Sequence, residues 1–252
     1  MLTFVIYTQA LIVTILYCIA ALPLFVLLML IFGWFSKPRQ KIMQLFILWY
    51  GKAIIYISWF PYVRVTYEDS CKSSSGKGIY IFNHRSASDP FLVAAVLNRP
   101  IVQVVNHWPM QLPFFGIFAV IAGYLDITTV SYEETLKWAR KRIIDEDASI
   151  AVFPEGTRSG NCTVNQFHGT FFRIAKELDC LLIPVAVSGN ENCPDRNFKM
   201  SRGNIKVRKL APIPQDVIRN TPPFQLKNLV RDILIRETGL MDKARVMKES
   251  GT

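Results

Sequence analysis

Residues 79–90 read Ile-Tyr-Ile-Phe-Asn-His-Arg-Ser-Ala-Ser-Asp-Pro, and the fold class is inferred first from this stretch. Its first four residues form a short apolar run that suits a buried strand. The Asp-Pro pair at its end is typical of a helix N-cap followed by proline at the first helical position. The stretch therefore predicts a strand that turns through polar residues into a helix.

Apolar runs and amphipathic segments alternate along the rest of the chain. We predict strands over residues 79–82, 101–105, 124–130, 149–153, 181–187 and 205–210, and helices from Pro90, after Ser131, over 171–178 and over 225–236, with a loop at 71–78 and an apolar segment at 114–122. Ser131 and Glu134 form an S-x-x-E capping box. This β-α-β alternation predicts an α/β fold with a mainly parallel sheet flanked by helices.

The first 36 residues contain no Asp, Glu, Lys or Arg. An uncharged apolar run of this length predicts a helix in contact with lipid rather than a soluble core helix. A straight helix of this length would exceed the ~30 Å hydrocarbon core, so it must tilt, bend or be split, and Pro23 is the natural place for a bend. The run lacks the basic start and short apolar core of a cleaved signal peptide.

A second apolar stretch, from Ile42 to Val63, follows the cluster of Lys37, Arg39 and Lys41. The basic cluster indicates that the first helix ends on the cytoplasmic side. Lys52 lies in the middle of the second stretch, and a charge at mid-bilayer costs about 2.5–3.5 kcal/mol. We favour an interfacial helix with its aromatic residues at headgroup depth, and a second membrane span is the alternative.

Composition excludes several classes of protein. The chain of 252 residues is 51% hydrophobic and carries a net charge of +10, which argues against disorder and suits an anionic membrane surface. Its five cysteines are scattered without a CxxC pair, and its three histidines are far apart, so we predict neither a disulfide framework nor a metal site. No reader motif for nucleic acid, Walker sequence or G-x-S-x-G elbow is present.

Two strand exits carry the candidate chemistry, because functional groups of such sheets gather beyond the carboxyl ends of strands. His84 and Asp89 follow the strand at 79–82, and a turn between them would let the carboxylate orient the imidazole for work as a base. The alternative for Asp89 is helix capping, which is compatible with that role. Phe153-Pro-Glu-Gly-Thr-Arg-Ser-Gly160 follows the strand at 149–153 and suits either a phosphate seat or an ordinary turn.

Asn83-His84-x4-Asp89, followed by FPEGTRS and then by Ile183-Pro184-Val185, resembles the 1-acylglycerol-3-phosphate (lysophospholipid) acyltransferase family over about residues 78–215. The resemblance implies acyl transfer from acyl-CoA or acyl-carrier protein to a lysophospholipid hydroxyl, by default that of 1-acylglycerol 3-phosphate, without a cofactor. It implies that His84 and Asp89 are catalytic. The residues implied to bind the acceptor are Glu155, Gly156, Thr157 and Arg158.

The two apolar stretches and the α/β pattern after them predict membrane-anchoring helices over residues 1–64 and an α/β acyltransferase domain over residues 65–252. The basic cluster predicts that the active site lies on the cytoplasmic face of a membrane, the inner one in a bacterium. Two departures concern the acceptor. The segment Gly123–Thr128 lacks an arginine that the family usually has, and His168 stands where the family tends to have lysine. We assign His107 a local structural role. The alternatives are an acyltransferase for another lipid hydroxyl, such as a lyso-ornithine lipid, and a non-catalytic lipid-binding protein.

Overall fold

The computed structural model describes residues 1–32, 34–71, 76–96, 101–111 and 115–250. Parts of the predicted 71–78 loop and the first residue of the 114–122 segment lie outside these ranges. The helices are α1 (Leu2–Phe32), α2 (Ser36–Ala53), α3 (Asp89–Val96), α4 (His107–Met110), α5 (Phe115–Ala122), α6 (Tyr132–Arg140), α7 (Thr170–Glu177), α8 (Gln215–Asn220) and α9 (Pro223–Ser250). Short π-helical turns at Ile54–Ser58 and Lys141–Asp145 extend α2 and α6.

Within these ranges, seven strands form one sheet in the order β1-β7-β6-β2-β5-β3-β4. They are β1 (Val63–Asp69), β2 (Gly78–Phe82), β3 (Ile101–Val105), β4 (Leu125–Asp126), β5 (Ser149–Val152), β6 (Leu181–Ser188) and β7 (Gly203–Lys209). Every pairing is parallel except that of β6 with β7. The prediction of a mainly parallel α/β sheet is confirmed, and β2 lies at its centre between β5 and β6.

Both faces of the sheet are covered. Alternate residues of β2 enter different apolar clusters: Ile79 and Ile81 pack on the side of α7 and α9, whereas Tyr80 and Phe82 pack on the side of α3. All five residues of β2 are buried, as expected for a central parallel strand. The capping box of Ser131 and Glu134 is present at the start of α6.

The structure differs from the prediction at two predicted elements and adds elements that were not predicted, among them α4, α8 and β1. The strand expected over 124–130 stops at Asp126, whose carboxylate accepts hydrogen bonds from the backbone N–H (3.0 Å) and hydroxyl (2.7 Å) of Thr128 and so turns the chain. Strand β1 was not predicted. The last helix extends beyond Arg236, because its buried stripe continues past Leu234 to Met241.

Helix α1 is continuous over 31 residues, with Pro23 inside it. It is therefore not split at the proline. Within the described ranges it is the one helix long and apolar enough to cross a membrane, and its most apolar part is not buried in the protein. Its first turns are joined to the domain, since Tyr7 Oη donates to the carbonyl of Phe198 at 2.8 Å.

Helix α2 lies between α1 and the α/β domain. Tyr17 of α1 donates to the carbonyl of Phe46 (2.7 Å), and Gln44 donates to the carbonyl of Ala122 (2.8 Å). Trp59, expected at headgroup depth, is instead buried in the core, whereas Trp49 is 59% exposed. One side of the second apolar stretch thus packs on protein, and only its other side can face lipid. The domain boundary at residue 64 stays a prediction.

Candidate active site

The two candidate loops lie side by side beyond the carboxyl ends of β2 and β5. These strands are adjacent and parallel, so residues leaving Phe82 and Val152 emerge at the same edge of the sheet. Asn83, the first residue after β2, is fully buried and bridges to β6: its amide donates to the carbonyl of Val187 (2.9 Å) and its Oδ1 accepts the N–H of the same residue (2.7 Å). This bridge fixes the direction of the loop that follows.

His84 and Asp89 meet in the structure. Nδ1 of His84 lies 2.7 Å from Oδ2 of Asp89, whose side chain is fully buried. Because a carboxylate accepts hydrogen bonds, this contact assigns the proton of the neutral imidazole to Nδ1 and leaves a lone pair on Nε2. The ring is 19% exposed and packs against Phe153 at 4.9 Å between centroids, and Nε2 has no hydrogen-bond partner among the described residues. Nε2 is therefore free to accept a proton from a bound molecule.

Asp89 is held by more than the histidine. Its Oδ2 also accepts the backbone N–H groups of Arg85 (2.7 Å) and Ser86 (3.0 Å), and its Oδ1 accepts the side-chain amide of Asn190. These donors keep the carboxylate in one position. Sequence reasoning missed Asn190, whose only signal was a polar residue two positions after the strand ending at Ser188.

Glu155 locks the two loops together. One of its oxygens accepts the N–H of His84 (2.6 Å) and the other accepts the N–H of Asn165 (2.8 Å). Burial raises the pKa of this carboxyl above its ordinary value, although both backbone hydrogen bonds favour the ionised form. Two further backbone bonds join the loops, from Ser159 to the carbonyl of His84 (2.8 Å) and from Gly160 to that of Arg85 (3.1 Å).

The other predicted acceptor residues lie on the same turn. Gly156 has φ +70°, and a Cβ there would lie 3.0 Å from Nε2 of His168. Its carbonyl accepts the amide of Asn106 at 2.8 Å. Thr157 is exposed, and Arg158 is partly exposed with its guanidinium 4.8 Å above the ring of Phe198. The N–H of Gly156 donates to the carbonyl of Phe153 (3.1 Å), so both backbone groups of Gly156 are hydrogen-bonded, as are both oxygens of Glu155. The guanidinium of Arg158, by contrast, makes one long hydrogen bond within the described residues, 3.4 Å to the carbonyl of Arg196, and keeps further donors for a ligand.

A buried ionic cluster packs against residues 83–89, which we call the histidine loop. Arg85, fully buried, forms a two-pronged pair with Asp242 of α9 (2.9 and 2.7 Å) and donates to the carbonyl of Cys162 (2.8 Å). Glu191 lies 3.5 Å from Arg85 and 2.5 Å from Arg245. Hydrogen bonding from Arg85 and Ser188 lowers the pKa of Asp242 despite its partial burial. The cluster ties α9 to the active-site loop.

The two remaining histidines differ from His84. His107 contacts Asp126 through Nδ1 (2.7 Å) and the amide of Gln111 through Nε2 (2.8 Å), so both of its ring nitrogens are occupied. His168 is exposed beside Gly156. In the part of the chain that the structure describes, no three His, Cys, Asp or Glu side chains are grouped to hold a metal ion.

Comparisons with known proteins identify relatives of the chain. The Acyltransferase family model matches residues 63–188, half of the chain. The 1-acyl-sn-glycerol-3-phosphate acyltransferase of Escherichia coli K12 is 28% identical over 184 residues, which are 70% of this chain and 73% of the relative. The enzyme of the same name from Cocos nucifera is 27% identical over 170 residues, which are 66% of this chain but only 54% of the relative.

The fold has a solved counterpart. The crystal structure of the 1-acyl-sn-glycerophosphate acyltransferase PlsC from Thermotoga maritima matches with a TM-score of 0.73 at 18% identity, covering 95% of this chain and 94% of that one. At this identity the likeness concerns the fold alone. The family model spans both strand exits that carry His84, Asp89 and Arg158. The chain therefore belongs to the acyltransferase family of enzymes.

Proposed function

We propose that the protein transfers a fatty acyl group from a thioester donor to the free hydroxyl of 1-acylglycerol 3-phosphate, giving phosphatidic acid. The observation that carries the proposal is the hydrogen bond of His84 to the buried Asp89, which leaves Nε2 free beside the turn of Arg158. The names of the bacterial and plant relatives agree with this acceptor.

In the proposed reaction, Nε2 of His84 accepts the proton of the acceptor hydroxyl as its oxygen attacks the thioester carbon. The new C–O bond forms, the C–S bond breaks, and the leaving thiolate takes the proton back from the imidazolium. Asp89 stabilises the imidazolium and fixes the ring. A thioester is already activated, so positioning and removal of this proton are the main demands.

The acceptor phosphate would bind at the turn of Gly156, Thr157 and Arg158, where a guanidinium can form paired hydrogen bonds to phosphate oxygens. Glu155 would shape this site by holding the two loops in register. We propose acyl-CoA or acyl-carrier protein as the donor. We also propose that the site faces the cytoplasmic leaflet, because Arg39 and Lys41 follow the apolar helix α1.

The test uses the purified full chain in detergent or lipid vesicles, with acyl-CoA, acyl-carrier protein and a panel of lysolipids. His84→Ala should lower kcat by about 10²- to 10⁴-fold, the usual contribution of a general base. His107→Ala is the matched control, because it removes a histidine that also contacts an aspartate, and it should retain activity within about threefold.

Transfer that survives His84→Ala undiminished would exclude the general-base role. Transfer only to acceptors without phosphate, such as a lyso-ornithine lipid, would replace the proposed acceptor. Binding of lysolipid without any transfer would leave a non-catalytic lipid-binding protein.

A further inference from the structure

The connection between β6 and β7 brings Arg196 onto the turn of Arg158. Nη2 of Arg196 donates to the carbonyl of Ser159 at 2.5 Å, and the N–H of Ser159 donates to the carbonyl of His84 at 2.8 Å. A single residue, Ser159, therefore connects the guanidinium of Arg196 to the histidine loop. Gly160, with φ +69°, makes room for it, because a Cβ at that position would overlap the Arg196 side chain.

Arg158 and Arg196 form a pair of cations that no acid contacts within ion-pair distance among the described residues. Nη2 of Arg158 lies 3.4 Å from the carbonyl of Arg196, so the two side chains share one surface of the turn. Neither takes part in an ion pair within the described residues, whereas the buried Arg85 does. The neighbouring Asp195 forms no ion pair with either arginine in the described structure, and its Oδ1 instead accepts the N–H groups of Asn197 (2.8 Å) and Lys199 (2.9 Å).

Phe198 supports this pair. Its ring lies under the guanidinium of Arg158 at 4.8 Å, a cation–π contact that restricts where the arginine can point. Its φ of +59° is unfavourable for a residue with a side chain and persists only where the surroundings hold it. Tyr7 of α1 supplies one such contact through its 2.8 Å hydrogen bond to the carbonyl of Phe198.

We infer that Arg196 binds the phosphate of the acceptor together with Arg158, and that Phe198 positions Arg158 for this task; the inference rests on the proposed function. Two guanidinium groups match the charge of a phosphomonoester, which is close to −2 at neutral pH. A phosphodiester headgroup carries one negative charge, and it has one fewer free phosphate oxygen than a phosphomonoester. The site should thus favour lysolipids that end in a phosphomonoester.

The experiment measures KM and kcat for 1-acylglycerol 3-phosphate and for acyl-CoA separately. Arg196→Ala should raise the acceptor KM about tenfold or more, as expected for loss of a charge-assisted hydrogen bond, and leave the donor KM within about twofold. Arg196→Lys should recover part of the loss. Arg202→Ala removes the same charge from the same loop, where the guanidinium lies over Tyr62, and should leave both constants unchanged.

The role of Phe198 is tested by the same comparison of the acceptor KM with the donor KM. Phe198→Ala should raise the acceptor KM several-fold, and Phe198→Tyr, which keeps the ring, should restore it. Competition by glycerol 3-phosphate measures recognition of the phosphate without the acyl chain: its inhibition constant should rise in Arg196→Ala as the acceptor KM does.

An unchanged acceptor KM in Arg196→Ala would overturn the inference. An equal rise for 1-acylglycerol, which lacks phosphate, would overturn it as well. If Arg158→Ala raises the acceptor KM and Arg196→Ala does not, the inference fails while the proposed function stands. If the wild-type protein transfers no acyl group to 1-acylglycerol 3-phosphate, both fail.

Discussion

Substitution of Asp89 should separate folding from catalysis, because its carboxylate serves two purposes. It accepts backbone N–H groups from Arg85 and Ser86 and also contacts the imidazole of His84. Asp89→Ala removes both functions. Asp89→Asn keeps one oxygen in the place of Oδ2, where the three donors converge, and removes the charge alone.

The loss in free energy of unfolding follows from the number of buried N–H groups that are left without an acceptor. In Asp89→Ala the two buried backbone N–H groups lose their acceptor, at about 1–3 kcal/mol each, for a total of about 2–6 kcal/mol. In Asp89→Asn the new NH2 group meets Asn190, whose own Oδ1 is buried without a hydrogen-bond partner in the described structure. A flip of the Asn190 amide pairs both groups, so Asp89→Asn should unfold within about 1 kcal/mol of wild type.

The cost to catalysis follows from the lost charge. A carboxylate and an imidazolium about 4 Å apart attract by about 4 kcal/mol at an effective dielectric constant of 20, which corresponds to about a thousandfold in rate. Because proton transfer is only partial in the transition state, we expect kcat of Asp89→Asn to fall by about 10²- to 10³-fold. Release of the CoA thiol measures kcat, and the midpoint of thermal unfolding in detergent measures stability.

Two outcomes would refute this reasoning. A kcat near wild type in Asp89→Asn would show that the charge does not act on the imidazolium. A loss of stability in Asp89→Asn as large as in Asp89→Ala, at least about 4 °C in the unfolding midpoint, would show that the amide pairing does not form.

Three further substitutions test the surroundings of the site. Gly156→Ala should lower stability by about 1–2 kcal/mol because of its positive φ, whereas Gly169→Ala, with φ −84° and open space around its Cβ, should not; thermal unfolding of both variants distinguishes them. Burial raises the pKa of Glu155 in the folded state, so the folded protein holds this proton more tightly and stability should fall as pH rises from about 4.5 through the raised pKa; Glu155→Gln should flatten that decline in the unfolding midpoint. Asp242→Ala leaves the buried Arg85 without its main partner and should cost about 3–5 kcal/mol, and the double variant Arg85→Met/Asp242→Leu should recover part of it; an equal loss in both would contradict a charge-specific effect.

Local signals in the sequence were sufficient for much of the fold. The apolar run at β2, the Asp-Pro cap of α3 and the capping box of α6 each depend on residues within a few positions of one another. The prediction of a strand over 124–130 was wrong for a reason that is also local. The carboxylate of Asp126 accepts two hydrogen bonds from Thr128, and the resulting turn ends the strand. A run of apolar residues does not by itself predict where such a turn ends a strand.

The second apolar stretch shows where composition is insufficient. Its aromatic residues predicted a lipid interface, yet Trp59 is buried against protein and Trp49 is exposed. Periodicity identifies a face but not its partner. Whether an apolar face meets lipid or another helix depends on what the rest of the chain places beside it.

The α/β pattern, the apolar N-terminal helix and the approach of His84 to Asp89 were predictable from the sequence, because they depend on short-range order along the chain. The distant residues that complete the site became known from the folded protein alone. Asn190 lies 101 positions from Asp89, and Asp242 lies 157 positions from Arg85. These residues meet because β6 pairs with β2 and α9 packs beside it. The spacing of residues along the chain does not predict such a contact, because the contact depends on how the strands pair in the folded sheet.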